Sequence, residues 1–321
     1  MNYLLIDSNH LLNRMKFSVR GEDKVGMILH LMMMSIYKVS KLFPDSHLVF
    51  CFDSKSWRHE VYLPYKANRI NKTPRTQQEL IEDKEISEVF DEFRAYLDEH
   101  TYCTVLKEYR LEADDLIAGW IQAHPNDKHI IVSGDKDFEQ LLSDNVMLYD
   151  GINDYLTSLD KVVDSKGRLA VNSKGMPIEV PEPSWSLFQK CMRGCTSDNI
   201  FSAYPGARTK STKKKIGLRE AYEDRDKKGY AWNSVMQHTW EDHNQITHTV
   251  HDDYNRNRVL VDLTAQPADV MQLISEKISQ PPKKNVESVG WYFQRFCAKH
   301  GLVKLGEMTS LVGPILCKPN Q

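Results

Sequence analysis

Three times within the first 137 residues an apolar run closes on an aspartate. The runs are Tyr3-Leu4-Leu5-Ile6 before Asp7, His47-Leu48-Val49-Phe50-Cys51-Phe52 before Asp53, and His129-Ile130-Ile131-Val132 before Ser133-Gly134-Asp135-Lys136-Asp137. Short apolar runs that break into polar turns read as buried strands. Between the runs lie helical patterns. One is a Met-rich stretch from about Val25 to Leu42, whose Met32-Met33-Met34 run reads as core filling. Another runs from Gln77 to His100, where Leu80, Ile81, Ile86, Val89, Phe90, Phe93 and Leu97 mark one face. Strands alternating with helices imply βαβ units, hence an α/β fold with a mostly parallel central sheet flanked by helices. In such sheets the carboxyl ends of the strands line the ligand crevice. Asp7, Asp53, Asp135 and Asp137 are therefore expected to converge.

The stretch Arg110 to Trp120 adds to that crevice. Ala113, Leu116, Ile117, Trp120 and Ile121 follow the spacing of a core-facing helix, and Glu112, Asp114 and Asp115 crowd its start. One acid in a first turn complements the helix dipole; three exceed what that explains. A helical wheel puts Glu112 and Asp115 on one flank and Asp114 on the other. Glu112 and Asp114 can serve one centre only if Glu112 precedes the first regular turn as a cap. So many ionised carboxylates in one crevice repel each other unless a cation joins them. All-oxygen donors favour a hard ion, Mg²⁺ or Mn²⁺, over zinc. Two such ions suit phosphoryl chemistry.

Whole-chain charge is only −2, so the distribution of charge carries the information. Lys55, Arg58, Lys66, Arg69, Lys72 and Arg75 interleave with Trp57, Tyr62 and Tyr65. Cations with aromatic stacking surfaces are what single-stranded nucleic acid needs. A second basic segment holds Arg208, Lys210, Lys213, Lys214, Lys215, Arg219, Arg225, Lys227 and Lys228, with Ser211 and Thr212 at an expected helix start, where N–H groups meet phosphate. An acidic metal crevice with basic flanks indicates a nuclease.

The remaining features are quieter. Val162-Val163, Arg168 to Val171 and Pro177 to Val180 read as short hairpins. Pro181 and Pro183 mark a boundary, dividing a nuclease domain at 1–182 from a smaller, mainly helical one at 183–321, with helices at Trp185 to Met192, Ala268 to Ile278 and Val286 to His300. His238, His243, His248 and His251 do not share a helical face and read as surface residues rather than a zinc site. Six scattered cysteines suggest a reducing compartment. The opening residues run straight into a strand, without room for a signal peptide, and no apolar run is expected to span a bilayer. A cytoplasmic location, the host's if the source is viral, is the resulting expectation.

Leu5-Ile6-Asp7-Ser8, Phe50-Cys51-Phe52-Asp53, Glu112-Ala113-Asp114-Asp115, Ser133 to Asp137 and Gly194-Cys195-Thr196-Ser197-Asp198-Asn199 stand in an order that resembles the flap endonuclease/5′→3′ exonuclease family, in particular its T-even phage RNase H branch. Tyr254-Asn255-Arg256, Val259 to Asp262, Pro281-Pro282, Tyr292-Phe293 and Lys299 to Leu302 extend the likeness over nearly the whole chain.

The resemblance implies a PIN-like 5′-nuclease core, a basic arch at about 54–84 and a helix-three-turn-helix-like duplex-binding domain. It implies two Mg²⁺ ions, replaceable by Mn²⁺, the first held by Asp7, Asp53, Glu112, Asp114 and Asp135, the second by Asp137 and Asp198 with Asp115 nearby. Tyr65, Lys66 and Arg69 match the arch, the lysine addressing the scissile phosphate and the tyrosine a base. Lys55, Arg58, Lys72, Arg208, Lys210, Lys213, Lys214 and Lys215 would contact nucleic acid. The substrates implied are branched or nicked duplex DNA and RNA–DNA hybrids, cut by a monomer in lagging-strand primer removal or repair beside a single-strand-binding protein or sliding clamp.

Two features depart from the family. Cys195 stands at a usual aspartate position, and a thiol is a poor Mg²⁺ ligand. Tyr204 to Arg208 replaces a glycine-rich turn, which speaks against a bound K⁺ there. Two other readings stay open: a DNA-binding protein whose catalysis Cys195 impairs, and a single-stranded RNA endonuclease.

Overall fold

A computed structural model describes residues 1–19, 24–69, 76–213, 215–281, 283 and 285–320. Lys72, Arg75, Lys214 and Pro282 lie outside them. The chain opens with β1 (Asn2–Asp7), α1 (Ser8–Ser18), α2 (Lys24–Leu42), β2 (Ser46–Cys51) and the short α3 (Arg58–Val61). It continues through α4 (Gln77–His100), β3 (Thr104–Leu106), α5 (Ala113–Ala123), β4 (Lys128–Val132), β5 (Val146–Asp150), β6 (Tyr155–Thr157) and β7 (Val162–Val163). Then come α6 (Pro183–Arg193), α7 (Leu218–Glu223), α8 (Tyr230–Met236), β8 (Thr239–Glu241), β9 (Thr247–Thr249) and α9 (Val250–Val261). The last helices are α10 (Ala268–Ile278), α11 (Val289–Lys299), α12 (Val303–Gly306) and α13 (Thr309–Leu316). The residues group into two compact units. The first holds Met1–Ser56, Pro74–Val180 and Ala268–Gln321; the second holds Trp57–Thr73 and Pro181–Pro267.

In the first unit the strand order is β3-β2-β1-β4-β5-β6-β7. The first five are parallel neighbours, and β6 and β7 extend the edge antiparallel. This is the α/β sheet that the alternation implied. The bridges Val163–Leu169 and Val171–Pro177 continue the hairpins beyond β7. Ile6 sits beside Phe50 on one side and Val132 on the other. The chain winds outward from β1 through β2 to β3, then crosses back to β4. Strand order thus reverses between β1 and β4, the place where an open parallel sheet leaves a crevice at its carboxyl ends.

The helices cover the sheet for legible reasons. Thr76 caps α4 and the Glu79 carboxylate accepts from the Thr76 N–H at 2.8 Å, a capping box. Ile28, Met32, Met33, Ile36 and Val39 of α2 are buried in the main core. Contrary to the expectation from sequence, α2 is long and apolar enough to cross a membrane, with 19 residues and a mean hydropathy of 1.2. Its apolar face is here the core face.

One boundary is corrected. Residues 183–321 do not form a single helical domain, because the segment from Ala268 onward belongs to the first unit. Phe293 and Phe296 of α11 pack with Phe93 and Tyr96 of α4, and Leu305, Val312 and Leu316 join the same core. The cause is burial: these helices bury their apolar faces in the core shared with α2 and α4.

The second unit is helical apart from the antiparallel β8–β9 hairpin. Phe188, Met192, Leu218, Tyr222, Val235, Met236 and Val250 form its core. A smaller cluster joins Tyr65 to Cys191, Ile200, Leu260 and Val261.

Candidate metal centre and basic surfaces

The crevice of the first unit is built from strand ends. Asp7 ends β1 and caps α1, accepting from the His10 N–H at 3.1 Å. Its other oxygen accepts from the Ser133 hydroxyl at 3.0 Å. Ser133 Oγ in turn accepts from the Asp135 N–H at 3.1 Å, and the Asp135 carboxylate from the Asp137 N–H at 2.9 Å. The turn after β4 is therefore tied, link by link, to the end of β1.

A second chain of contacts starts at β2. The Asp53 N–H donates to Asn9 Oδ1 at 3.0 Å, and the Asp53 carboxylate accepts from the Ala113 N–H, the first of α5, at 2.9 Å. Glu112 precedes α5 as its N-cap, with extended backbone, so the wheel conflict is resolved as a cap requires. Its carboxylate accepts from the Ser56 hydroxyl at 2.8 Å, and its N–H donates to Asp115 at 3.1 Å. Carboxylate oxygens of Glu112, Asp114 and Asp115 lie within 4.8 Å of one another. Asp115 is fully buried, Glu112 nearly so.

Electrostatics joins the two chains. Burial, and next the charge of Asp53, push the Asp7 carboxyl up to about 8, with Asp135 adding to the rise. A carboxyl raised by burial and then by neighbouring acids marks a place where a cation would be welcome. The donor set is wholly oxygen, which fits a hard divalent ion.

The arch residues and Asp198 are in the second unit. The Lys66 N–H donates to the Asp198 carbonyl at 2.8 Å, and Lys66 adopts a left-handed φ of 52°. Arg69 donates to the Asp198 carboxylate at 3.1 Å, with Lys66 Nζ at 3.9 Å. The Cys195 thiol donates to the same carboxylate at 3.2 Å, and burial raises its pKa, so it stays a thiol. Asp198 is thus held by two cations and a thiol.

Several expected contacts are corrected. Arg58 is 1% exposed and donates to the Leu260 carbonyl at 2.8 Å, so its guanidinium faces inward rather than toward nucleic acid. Tyr65 is 3% exposed within its cluster, and Trp57 is buried too, so these rings do not offer free faces for stacking. No helix begins at Ser211. The Ser211 N–H donates to Glu220 at 3.0 Å and the Gly217 N–H to Ser211 Oγ at 2.9 Å, closing a loop before α7. Arg208, Lys210, Lys213 and Lys215 are exposed on and beside that loop, and Lys55 is exposed in the first unit. His248 stacks on Trp240 at 4.4 Å and pairs with Asp253 at 3.1 Å.

Sequence reading missed the supports: Asn9, His10, Arg14, Ser56 and Ser133. The one signal for Asn9 and His10 was their place just after a strand-end aspartate.

Residues 2–167 match the family model described as 5′-3′ exonuclease, N-terminal resolvase-like domain. The chain belongs to the flap endonuclease/5′-3′ exonuclease family. Among curated relatives, the flap endonuclease Xni of Pseudoalteromonas translucida is 30% identical over 181 residues, which cover 53% of this chain and 65% of that protein. The 5′-3′ exonuclease of Buchnera aphidicola subsp. Baizongia pistaciae is 28% identical over 176 residues, 52% of this chain and 54% of that one. The chain spans less than two thirds of the length of these relatives. Among solved structures, the T5 5′-exonuclease with bound zinc ions aligns with a TM-score of 0.59 at 18% identity, covering 87% of this chain and 98% of that one. The T5 flap endonuclease in complex with DNA and metal ions gives 0.57 at 18% identity, over 96% and 100%. At that identity the likeness is one of fold.

Proposed function

We propose that the protein is a divalent-metal-dependent 5′-nuclease, a phosphodiester hydrolase acting at flaps, nicks and 5′ ends of branched duplex DNA and on RNA primers paired to DNA. The observation that carries this reading is the gathering of Asp7, Asp53, Glu112, Asp114, Asp115 and Asp135 at one crevice, where burial and then the charge of Asp53 push the Asp7 carboxyl up. Family membership and a T5 relative described with DNA and metal ions support it.

In this reading Asp7, Asp53, Glu112, Asp114 and Asp135 hold Mg²⁺ or Mn²⁺, and Asp137 belongs to a second ion. When bound, such ions supply an acidified water and charge stabilisation for an in-line displacement. The protein's own part is orientation. Ser133 fixes the Asp7 carboxylate, Ser56 fixes Glu112, and the α5 N-terminus fixes Asp53. Lys66 and Arg69 exchange Asp198 for substrate phosphate, where Lys66 offsets charge that builds on phosphoryl oxygens. The exposed lysines near Lys213 hold duplex backbone. A role in lagging-strand primer removal, with RNase H-type activity, follows if RNA-primed ends are cut.

End-labelled flap, nicked and RNA-primed duplexes incubated with Mg²⁺, Mn²⁺ or EDTA test the proposal. Short 5′ products that require metal are expected. Binding without cleavage at every metal level would overturn it in favour of a binding protein. Preferential cutting of unstructured RNA would point to the RNA endonuclease.

A further inference from the structure

We propose that His10 and Arg14 form a phosphate-binding notch over Gly134, a subsite for one phosphate group of the nucleic-acid substrate; this rests on the nuclease reading above. The two side chains are four residues apart on α1 and so share a face. Gly134 lies between Ser133 and Asp135 in the turn that carries the crevice acids. A Cβ at Gly134 would overlap Nη1 of Arg14 and come within 3.2 Å of its Cζ and 3.3 Å of His10 Nε2. Two nitrogens from α1 therefore converge on one point of the turn, and a side chain at Gly134 would push the Arg14 guanidinium out of its place there.

Neither nitrogen-bearing group is satisfied there. His10 Nε2 is buried without a hydrogen-bond partner. Arg14 is half-buried and makes no ion pair or hydrogen bond among the described residues. Asp135 and Asp150 lie near enough to act on His10 through their charge, yet neither pairs with Arg14 among the described residues. A buried ring nitrogen left without a partner is costly, and a guanidinium held beside it is suited to an oxyanion with several acceptor oxygens. A phosphate group meets both requirements with one ligand. It is also the group that a nuclease must hold next to its acids.

The ligand chemistry has two sources, a 5′-terminal monoester and an internal diester, and one experiment separates them. Anisotropy of a labelled nicked duplex is measured in EDTA, which prevents cleavage, with either a 5′-phosphate or a 5′-hydroxyl at the nick. Arg14→Gln is expected to weaken binding about 10- to 100-fold, the range for losing a charged hydrogen-bonding group. A loss confined to the phosphorylated duplex assigns the notch to the terminal monoester; an equal loss on both assigns it to a diester. Gly134→Ala, which fills the notch, should act in the same direction, and thermal melts confirm that both variants fold. The inference fails if both variants bind like the native chain, or if only the Mn²⁺ titration midpoint, read by electron paramagnetic resonance, moves in Arg14→Gln. The second result would make Arg14 a neutralising neighbour of Asp135. Native protein that cleaves flaps while the variants bind normally sinks the notch alone. Native protein that neither binds nor cleaves sinks the nuclease reading as well.

Discussion

At the scale of single residues, the crevice acids differ in what holds them, and their substitutions should differ accordingly. The Asp135 carboxylate accepts from the Asp137 N–H and the Asp114 carboxylate from the Asp115 N–H, both short-range backbone bonds. Asp135→Asn or Asp114→Asn should therefore leave the fold and substrate binding intact while lowering cleavage by about 10³-fold or more, the order lost with one preorganised electrostatic group. Single-turnover cleavage alongside anisotropy checks this, and normal cleavage by either variant in Mg²⁺ would remove that acid from the centre. Lys66→Ala should reduce turnover by about 10²-fold with a smaller change in affinity. Because Lys66 sits in the left-handed region with its N–H on the Asp198 carbonyl, the loss must be separated from any change in loop stability. An effect on affinity alone would demote Lys66 to a docking residue.

At the scale of elements, α5 carries the acids at one end and meets α10 along its length. A Cβ on Gly119 of α5 would overlap Ile274 Cγ2 of α10, and Ile278 Cδ1 would lie at 3.3 Å. Arg110, just before α5, pairs with Asp269 of α10 at 2.9 Å. Gly119→Ala should thus destabilise by about 1–3 kcal/mol through overpacking, despite alanine's better helix propensity. Urea denaturation measures this, and a stabilised variant would show that α10 yields freely. Most elements were legible before the structure because strands ending in acid and helices with apolar stripes declare themselves locally. Glu112 as a cap was legible for the same reason, from the wheel. Arg58 and Tyr65 were not. A basic-aromatic segment looks alike in sequence whether its rings face solvent or a core, and here that core is supplied by Ile200, Leu260 and Val261, distant in the chain. The Ser211 helix start failed because Glu220 and Gly217, distant by nine and six residues, tie the Ser211 N–H and hydroxyl into a closed loop.

At the scale of the whole molecule, two buried groups set opposing pH dependences. His47, on β2, hydrogen-bonds to the Lys318 carbonyl and to Thr104, and burial lowers its pKa from 6.5 to about 4. The unfolded chain then binds the extra proton, so stability gained from neutral His47 is present above 6.5 and lost as pH falls toward 4. Asp7 has the opposite sign. Its pKa rises from 3.8 to about 8, so the native state holds the proton longer, and stability is lost as pH climbs toward 8. Between about 4 and 6.5 the two oppose each other; above 6.5 Asp7 acts without His47. Melting in EDTA should therefore show stability falling from pH 6.5 to 8, a fall that Asp7→Asn flattens and added Mg²⁺ reverses. His47→Gln should alter only the acidic side. A slope above pH 6.5 that survives Asp7→Asn would place its origin elsewhere.

The return of α11, α12 and α13 to the core of α2 and α4 has a consequence for biosynthesis. The strands β1 and β2 leave the ribosome early, but the helices that seal their core are made more than 200 residues later. At about 5–20 residues per second, translation separates the two by tens of seconds. During that interval the rings of Phe93 and Tyr96 wait for Phe293 and Phe296. Nascent chains should accordingly remain sensitive to protease, and dependent on chaperones, until the segment around Leu316 has emerged.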